Sequence, residues 1–142
     1  MKKRTKILTI LVTLCVALLV AAACLLNDIF PKATPMAVPD PADLISATLR
    51  YNSTNVEVAV NQEDYESLLR YLGSGIPTRR QAMNDTQTVQ PHYCAEIQTE
   101  DRWYCFFVYE EDGQAFIEIP YEGIYESDMV MLDLVLQYFD EG

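Results

Sequence analysis

The sequence predicts an α+β domain behind an apolar N-terminal helix, and three observations support this prediction. Several stretches alternate apolar with polar residues, as half-buried strands do. Two other stretches space their apolar residues as helices do. Near the N-terminus, an uncharged and mostly apolar run extends from Ile7 to Asn27. The expected order is ββαβββα, a five-stranded, mainly antiparallel sheet with two helices on one face.

The first segment has the layout of an export signal. Residues 1–6 form a basic stub, which we expect to stay in the cytoplasm because lysine and arginine favour that side of a membrane. As a helix, residues 7–26 would span roughly 30 Å, the thickness of the hydrocarbon core of a bilayer. We therefore expect the rest of the chain outside the cell membrane.

Three fates of this segment are open. An uncleaved, single-pass signal anchor is favoured because the apolar run is longer than the roughly 7–15 residues of a signal-peptide core. Cleavage after Ala21-Ala22-Ala23 would satisfy the small-residue rule of signal peptidase. Lipidation of Cys24 is the third fate, and it would make the protein a lipid-anchored lipoprotein.

Charge differs sharply between the two parts of the chain. All 21 acidic residues follow Leu26, where only six basic residues oppose them, so this part has a net charge of −15 although the whole chain has −11. Such a charge repels nucleic acid and anionic lipid, and we expect neither as a ligand. The expected partners are the membrane, through the N-terminal segment, and another envelope protein or a cationic ligand.

Residues 27–43 are predicted to be a proline-rich spacer. Pro31, Pro35, Pro39 and Pro41 favour an extended, polyproline-like chain that holds the next domain away from the membrane. Residues 44–142 are numerous enough to form one small extracytoplasmic domain with its own core.

Alternation identifies the first two strands of this domain. Ile45–Tyr51 and Val56–Val60 are joined by the turn residues Asn52–Asn55, which predicts a hairpin. A helix should follow, with Asn61 as its N-terminal cap and Gly73 at its end.

The second half of the domain should contain the remaining strands and the last helix. Three strands are predicted over Tyr93–Thr99, Trp103–Tyr109 and Gln114–Pro120. The turn residues Glu111-Asp112-Gly113 predict a hairpin between the last two. Ser127 is expected to cap a final helix that runs to about Phe139.

One face of the predicted sheet is unexpectedly aromatic. Since every second strand residue lies on the same face, this face carries seven residues that we interpret as a binding surface: Trp103, Phe107, Tyr109, Phe116, Arg50, Glu96 and Glu118. The alternative is that the long polar segment 74–90, or the spacer, folds over these aromatic side chains. The opposite face, which includes Ile45 and Val56, is expected to form the core.

Cys94 and Cys105 fall on the same aromatic face. If residues 98–101 form a four-residue loop, the two cysteines lie directly opposite each other across a hairpin, and an oxidising environment would let them form a disulfide. We expect a structural disulfide rather than a redox pair, because catalytic disulfides usually occur as CxxC at the start of a helix.

The sequence predicts no metal site and no cofactor. His92 is the single histidine, and no spacing typical of zinc ligands occurs. Glu96 and Glu118 are the carboxylates that acid–base chemistry on a glycan would use, but carboxylates are so abundant that the pair is a weak signal.

Two stretches resemble a family of small, uncharacterised domains from Gram-positive bacteria: Pro41–Leu49 (PADLISATL) and Ile117–Tyr125 (IEIPYEGIY). Members of this family are membrane-anchored or lipoprotein-like and extracytoplasmic. The resemblance implies a short acidic domain behind an anchor, and it implies no activity, cofactor or catalytic residue. Within the second stretch, we expect Pro120 to end the fifth strand and Gly123 to permit the turn into the last helix.

The sequence therefore favours a surface-tethered binding or accessory module that is not an enzyme. One alternative is a cell-envelope hydrolase that uses Glu96 and Glu118. Another is a structural subunit of a membrane complex, whose final helix packs against a second chain.

Overall fold

The computed structural model of the protein describes residues 2–83, 87 and 89–140. The chain divides between Lys32 and Ala33 into two compact units. In the described residues, the first unit contains one long helix, and the second contains a sheet with two α-helices.

The long helix α1 extends from Lys2 to Ile29. Its segment Lys6–Ile29 comprises 24 residues, its most apolar 18-residue stretch has a mean hydropathy of 2.9, and all of its side chains are exposed. A helix this long and apolar can cross a membrane or serve as a signal sequence, which confirms the predicted apolar helix. The Thr13 hydroxyl donates to the Thr9 carbonyl at 3.0 Å, so this polar side chain is satisfied within the helix.

The second unit is built on a seven-stranded sheet. Its strands are β1 (Leu44–Tyr51), β2 (Val56–Ala59), β3 (Ile76–Pro77), β4 (His92–Thr99), β5 (Trp103–Glu111), β6 (Gln114–Ile119) and β7 (Gly123–Ser127). They lie in the order β2-β1-β4-β5-β6-β7-β3, and every neighbouring pair is antiparallel. The five predicted strands are present, but a total of five is wrong because β3 and β7 extend the sheet.

The sequence prediction missed the two additional strands for different reasons. The sequence predicts a turn from Gly123 into the last helix, whereas Gly123 begins β7. Tyr121 has a φ of 62°, and the Glu122 N–H donates to the Ile119 carbonyl at 3.1 Å, so the chain reverses tightly and pairs with β6. β3 contains only two residues, too few to show alternation, and it pairs with β7.

The hairpin turns agree with the turn residues of the sequence. Tyr51 pairs with Val56, so residues 52–55 join β1 to β2 as predicted. Between β5 and β6, Asp112 and Gly113 both have positive φ, 54° and 79°, which is the conformation of a tight two-residue hairpin loop.

Both predicted helices of the domain are present, as α2 (Tyr65–Gly73) and α3 (Met129–Asp140). Gly73 ends α2 as expected. The predicted cap by Asn61 is wrong: its side chain makes no cap hydrogen bond, and a 3₁₀ turn, Gln62–Asp64, lies between it and α2.

The cap of α3 also differs from the prediction. Ser127 is the last residue of β7 and is buried, so it lies inside the sheet rather than at the helix. Asp128 takes the capping position instead, because its Oδ1 accepts from the Val130 N–H at 3.1 Å.

A single core lies between α2, α3 and one face of the sheet. Its fully buried members include Leu49, Leu68, Leu72, Ile97, Phe106, Val108, Ile117, Met131 and Val135. The helices therefore pack on one face, as predicted. Burying these side chains supplies the main driving force for folding the domain.

Two residues assigned to the core face of the sheet lie outside the core. Ile45 is 53% exposed because the register of β1 shifts between Leu44 and Ser46, and Leu44 packs against the core in its place. Val56 is 47% exposed, since it lies at the first position of the edge strand β2.

Residues 33–38, which we call the strap, belong to the domain although the sequence places them in the spacer. Ala33, Met36 and Val38 pack against the core. The Ala33 N–H donates to the Thr78 carbonyl, and the Tyr125 hydroxyl donates to the Thr34 carbonyl, both at 2.9 Å. The strap is followed by a 3₁₀ turn, Pro41–Asp43, which leads into β1.

Candidate functional site

The aromatic face of the sheet, opposite the helices, divides into two halves along the strands. The open half is exposed or half-buried and consists of Ser46, Thr48, Arg50, Glu96, Gln98, Trp103 and Cys105. The covered half is mostly buried and consists of His92, Cys94, Phe107, Tyr109, Phe116 and Glu118. The proposed binding residues are therefore split: Trp103, Arg50 and Glu96 stay accessible, and the other four lie in the covered half.

The covered half lies beneath part of the segment 74–90. This segment first follows β7, where the Thr78 N–H donates to the Ile124 carbonyl at 3.1 Å and the Ile124 N–H donates to the Arg80 carbonyl at 3.4 Å. Ala82 and Gln87 are then buried. In this half, the segment covers the aromatic side chains. This is the alternative that the sequence left open. Residues 84 and 85, which the sequence also places in this segment, lie outside the described residues.

Arg80 fixes this segment over Phe116. Its guanidinium carbon lies 5.0 Å from the centroid of the Phe116 ring, and its Nη1 lies 2.5 Å from a carboxylate oxygen of Glu111. Burial acts to lower the pKa of Arg80, but the hydrogen bond to Glu111 and the charges of nearby acidic groups together outweigh it and raise that pKa above its usual value. Arg80 therefore stays charged and bridges the segment to β5 and β6.

Beneath the same segment, Glu118 is a buried carboxylate. It is only 6% exposed, and the side-chain amide of Gln87 donates a short hydrogen bond to it. Burial raises the pKa of Glu118, while the Gln87 hydrogen bond and the charge of Arg80 act in the opposite direction. Burial likewise raises the pKa of Tyr109 to about 12. These groups therefore resist ionisation.

His92 closes the end of the covered half. Its Nδ1 lies 2.9 Å from the Val89 carbonyl oxygen, and its ring meets the Phe107 ring edge-on with centroids 5.4 Å apart. Sequence reasoning did not identify Arg80 and Gln87 as covering residues, or His92 as a member of the covered half. The available signal was weak: Ala82 and Val89 are two of the few apolar residues in a mainly polar segment, which also contains Ile76 and Met83.

In the open half, Trp103 is the most exposed of the proposed binding residues, at 66%. It lies where β5 extends past the end of β6, since Ile119 is the last residue of β6 and Phe107 pairs with Glu118. The backbone of residues 103–105 borders a notch of about 310 Å³ there, which Trp103, Cys105, Ile119 and Pro120 help to line.

Arg50 organises the charges of the open half. Its Nη2 lies 2.7 Å from a Glu96 carboxylate oxygen, and its Nη1 lies 3.8 Å from Glu57. Burial acts to lower the pKa of Arg50, but the charges of Glu96 and Glu57 and the interaction with Cys94 together outweigh it and raise that pKa. The thiol of Cys94 also points towards Glu96, with its Sγ 3.8 Å from the same oxygen.

Cys94 and Cys105 come together, although in a different register from the prediction. Cys94 pairs with Phe107 and Cys105 pairs with Glu96, so the cysteines are diagonal neighbours rather than directly opposite. The four-residue loop is wrong because the Thr99 N–H donates to the Arg102 carbonyl at 3.0 Å, which leaves a two-residue turn. Because the register error is two residues, the cysteines still share one face, with their Sγ atoms 3.1 Å apart.

The two thiols of this pair differ in burial and acidity. Cys94 is 2% exposed, whereas Cys105 is half-buried, and both are free thiols. The hydrogen bond between them raises the pKa of Cys94, which burial raises further, and lowers the pKa of Cys105. Cys105 is therefore the more acidic and the more accessible of the two thiols.

The carboxylates proposed for hydrolysis do not form a pair. Glu96 lies on β4 in the open half and Glu118 lies on β6 in the covered half, two strands and two residues apart, so their Cα atoms are roughly 12 Å apart by sheet geometry. Glu96 forms an ion pair with Arg50, and Glu118 accepts a hydrogen bond from Gln87. Among the described residues, no group of three or more metal-ligating side chains is placed to hold a metal ion.

Comparison with known proteins identifies the domain. Residues 32–126 match the model of the DUF5301 family, which is described as "Domain of unknown function (DUF5300)". The chain belongs to the DUF5301 family. The match begins one residue before the second structural unit, so the DUF5301 domain includes the strap, and it ends before α3. Both stretches that carried the sequence resemblance lie inside it, as expected of an uncharacterised domain.

A solved structure shares the fold of this DUF5301 chain. The NMR structure of a protein from Ruminococcus gnavus superposes with a TM-score of 0.55 and 24% sequence identity, over 64% of this chain and 89% of that chain. At this identity the similarity shows the α+β fold alone. No curated protein was found to be similar to the chain.

Proposed function

We propose that this DUF5301 chain is a membrane-tethered, extracytoplasmic binding or accessory module that is not an enzyme. The observation that carries the proposal is Trp103, a large aromatic side chain that stays 66% exposed beside the notch at the end of β6. An exposed tryptophan next to a cavity is typical of the residues that dominate binding at protein interfaces.

The tether is α1, and the orientation follows from charge. Lys2, Lys3, Arg4 and Lys6 precede the apolar segment, which favours a cytoplasmic N-terminus and an outer DUF5301 domain. A single-pass anchor in the envelope of a Gram-positive cell is the arrangement that we propose. Lipidation of Cys24 is the alternative route to the same surface.

The partner that fits this surface is another envelope protein with basic groups around an apolar contact. A cleft of about 530 Å³ shares Arg102 and Tyr104 with the notch, and its lining includes Asp43, Glu100 and Asp101. With a net charge of −15 after Leu26, the chain attracts cations over its whole outer part. Aromatic burial at Trp103 and charge complementarity at this cleft would act together.

Site-specific photo-cross-linking in native membranes tests this proposal. A photoreactive residue at position 103 of the full-length chain should give a discrete adduct, and the same residue at position 76 should not. Ile76 is a matched control because it is 61% exposed but lies in β3, at the edge of the sheet. Raised salt should weaken the adduct at 103, since the partner is basic.

A second variant makes the test quantitative. Trp103→Ala, cross-linked from a neighbouring position such as 102, should reduce the adduct about 10-fold, the effect expected of a tryptophan at the centre of an interface. Identical adducts from positions 103 and 76, or an adduct that Trp103→Ala leaves unchanged, would show that this surface binds no partner.

A further inference from the structure

Cys94, Cys105, Glu96 and Arg50 form a connected cluster at the border between the two halves of the aromatic face. The sulfurs are 3.1 Å apart, Cys94 Sγ is 3.8 Å from a Glu96 oxygen, and Arg50 holds that oxygen at 2.7 Å. The buried thiol thus has a carboxylate acceptor, and its half-buried partner lines the notch of about 310 Å³. The notch is the one beside Trp103, but the binding proposed there makes no use of the two thiols.

We propose that Cys94 and Cys105 are a redox-active dithiol that exchanges with low-molecular-weight disulfides, with Cys105 as the attacking thiolate and Cys94 as the resolving thiol. The notch beside Cys105 has room for a small disulfide. Cys94 is only 2% exposed and reaches such a molecule only after it has become attached to Cys105. This division between an accessible and a buried thiol assigns the order of the two steps.

The exchange is a balanced two-electron reaction. The Cys105 thiolate attacks one sulfur of the disulfide RSSR, so that a Cys105–SR bond forms, the S–S bond breaks and RS⁻ leaves. Cys94 then transfers its proton to the Glu96 carboxylate and attacks Cys105 Sγ, which forms the Cys94–Cys105 disulfide and releases a second RS⁻. One RS⁻ takes up the proton held by Glu96, and the other takes up the proton that Cys105 released to solvent when it ionised. The pair thus loses two electrons and RSSR becomes two RSH.

The strand register favours a disulfide that opens again over a permanent structural one. Diagonal neighbours on antiparallel strands have Cα atoms about 7–8 Å apart, beyond the roughly 4.4–6.8 Å that an unstrained disulfide prefers. Closing the bond therefore draws β4 and β5 together locally, and strained or exposed disulfides are the readily reduced ones. A directly opposite pair, as the sequence predicted, would lack this property.

Charge at the cluster supports the assigned roles. The hydrogen bond between the two thiols lowers the pKa of Cys105, which makes the accessible sulfur the better nucleophile. Glu96 is a positioning residue that accepts the proton of Cys94, and Arg50 fixes its orientation. Glu57 also contacts Arg50, at 3.8 Å, but acts on neither thiol directly.

Intact-mass analysis of the full-length chain with glutathione tests the proposal. Cys15 and Cys24 in α1 are also free, so both are replaced by serine, which leaves only the pair in the sheet. Under native conditions, glutathione disulfide should convert the dithiol to the internal disulfide, and reduced glutathione should reverse it. A pair that either reagent fails to convert while the domain stays folded would overturn the proposal.

Single variants in the same background assign the two roles. Cys94→Ser keeps an O–H donor beside Cys105 and should accumulate one glutathione adduct, whereas Cys105→Ser should react at least 10-fold more slowly. If either serine variant fails to fold, the transient adduct of the unaltered pair is quenched with acid and mapped to its cysteine by peptide mass analysis. An adduct found mainly at Cys94, or equally at both positions, would contradict the assigned order.

The role of Glu96 is tested by the pH dependence of the second step. Glu96→Gln should slow the loss of the glutathione adduct about 10-fold near neutral pH, and the rate should recover as rising pH ionises Cys94. Glu96→Asp should restore part of the rate, and Glu57→Gln, the matched control on the same arginine, should leave it unchanged. A Glu96→Gln rate equal to that of the unaltered pair at every pH would exclude this role.

Discussion

The guanidinium carbon of Arg80 lies 5.0 Å from the centroid of the Phe116 ring, and this contact helps to hold the covering segment on the aromatic face. Arg80 also binds Glu111 across the hairpin of β5 and β6. It thereby holds the segment after β3 against the sheet. The sequence pattern suggests a broad aromatic surface, but only the open half around Trp103 is accessible.

Replacing Arg80 should loosen that cover. Arg80→Ala removes a cation–π contact and a partly exposed ion pair, and we expect the free energy of unfolding to fall by about 1–2 kcal/mol. Amide hydrogen exchange should rise in residues 78–83 more than in β4. Arg80→Lys keeps the charge but loses the planar stacking group, so its loss should be smaller. Unchanged exchange in Arg80→Ala would show that other contacts hold the segment.

Neutralising Glu118 should stabilise the domain near neutral pH. Burial raises the pKa of this carboxyl in the folded state, so the folded protein binds the proton more tightly than the unfolded chain does. The stabilising contribution is complete below the unfolded pKa and is lost as pH rises through the folded one. Glu118→Gln should therefore gain up to about 1 kcal/mol at pH 7 and keep the hydrogen bond to Gln87.

The measurement for Glu118→Gln is a set of urea denaturation curves between pH 4 and pH 8. The unaltered protein should lose stability relative to the variant as pH rises through this range. Glu110→Gln is the control, because Glu110 is exposed and shares the strand pair. A variant that is less stable at pH 7 and equally pH-dependent would contradict the prediction.

Gly123 should tolerate no side chain while Ala33 is in place. A Cβ at position 123 would lie 2.4 Å from the Cβ of Ala33, well inside van der Waals contact. Gly123→Ala should cost about 1–3 kcal/mol, the usual cost of overpacking. Adding Ala33→Gly removes the clashing atom and should restore part of the loss, which a double-mutant cycle measures. Additive losses in that cycle would show that the two positions do not touch.

The hydroxyl of Tyr125 should contribute to holding the strap. It donates to the Thr34 carbonyl at 2.9 Å, and Tyr125 itself is fully buried. Tyr125→Phe should cost about 0.5–1.5 kcal/mol, the usual net contribution of such a hydrogen bond. Tyr51→Phe is the comparison, because Tyr51 stacks on Tyr93 without a hydroxyl partner recorded among the described residues. Equal effects of the two variants would mean that the strap contact adds nothing.

Local sequence patterns sufficed for the elements that carry strong periodicity. The hairpin of β5 and β6 follows from Asp112-Gly113, and α2 ends at the glycine that predicts its end. Both signals are local, because a turn conformation or a helix end is set by a few adjacent residues. The apolar helix α1 follows in the same way from composition alone.

What the sequence did not reveal depends on contacts between distant segments. β3 is too short to show an alternating pattern. β7 follows a tight turn at Tyr121, and the sequence of that turn suggests that the sheet ends there. The register of β4 and β5 depends on whether the turn contains two residues or four, and both lengths keep the same faces. Phe116 is covered by Arg80, and no local sequence pattern predicts that this arginine contacts the ring.

The strap also determines how the domain would respond to mechanical tension. A pull on the chain from its N-terminal side reaches the domain first at Ala33, which is held by one hydrogen bond to Thr78, and then at Thr34, held by Tyr125. These two bonds and the packing of Met36 and Val38 would bear the load before any pair of strands does. We therefore expect tension to release this short segment before it disrupts the seven-stranded sheet.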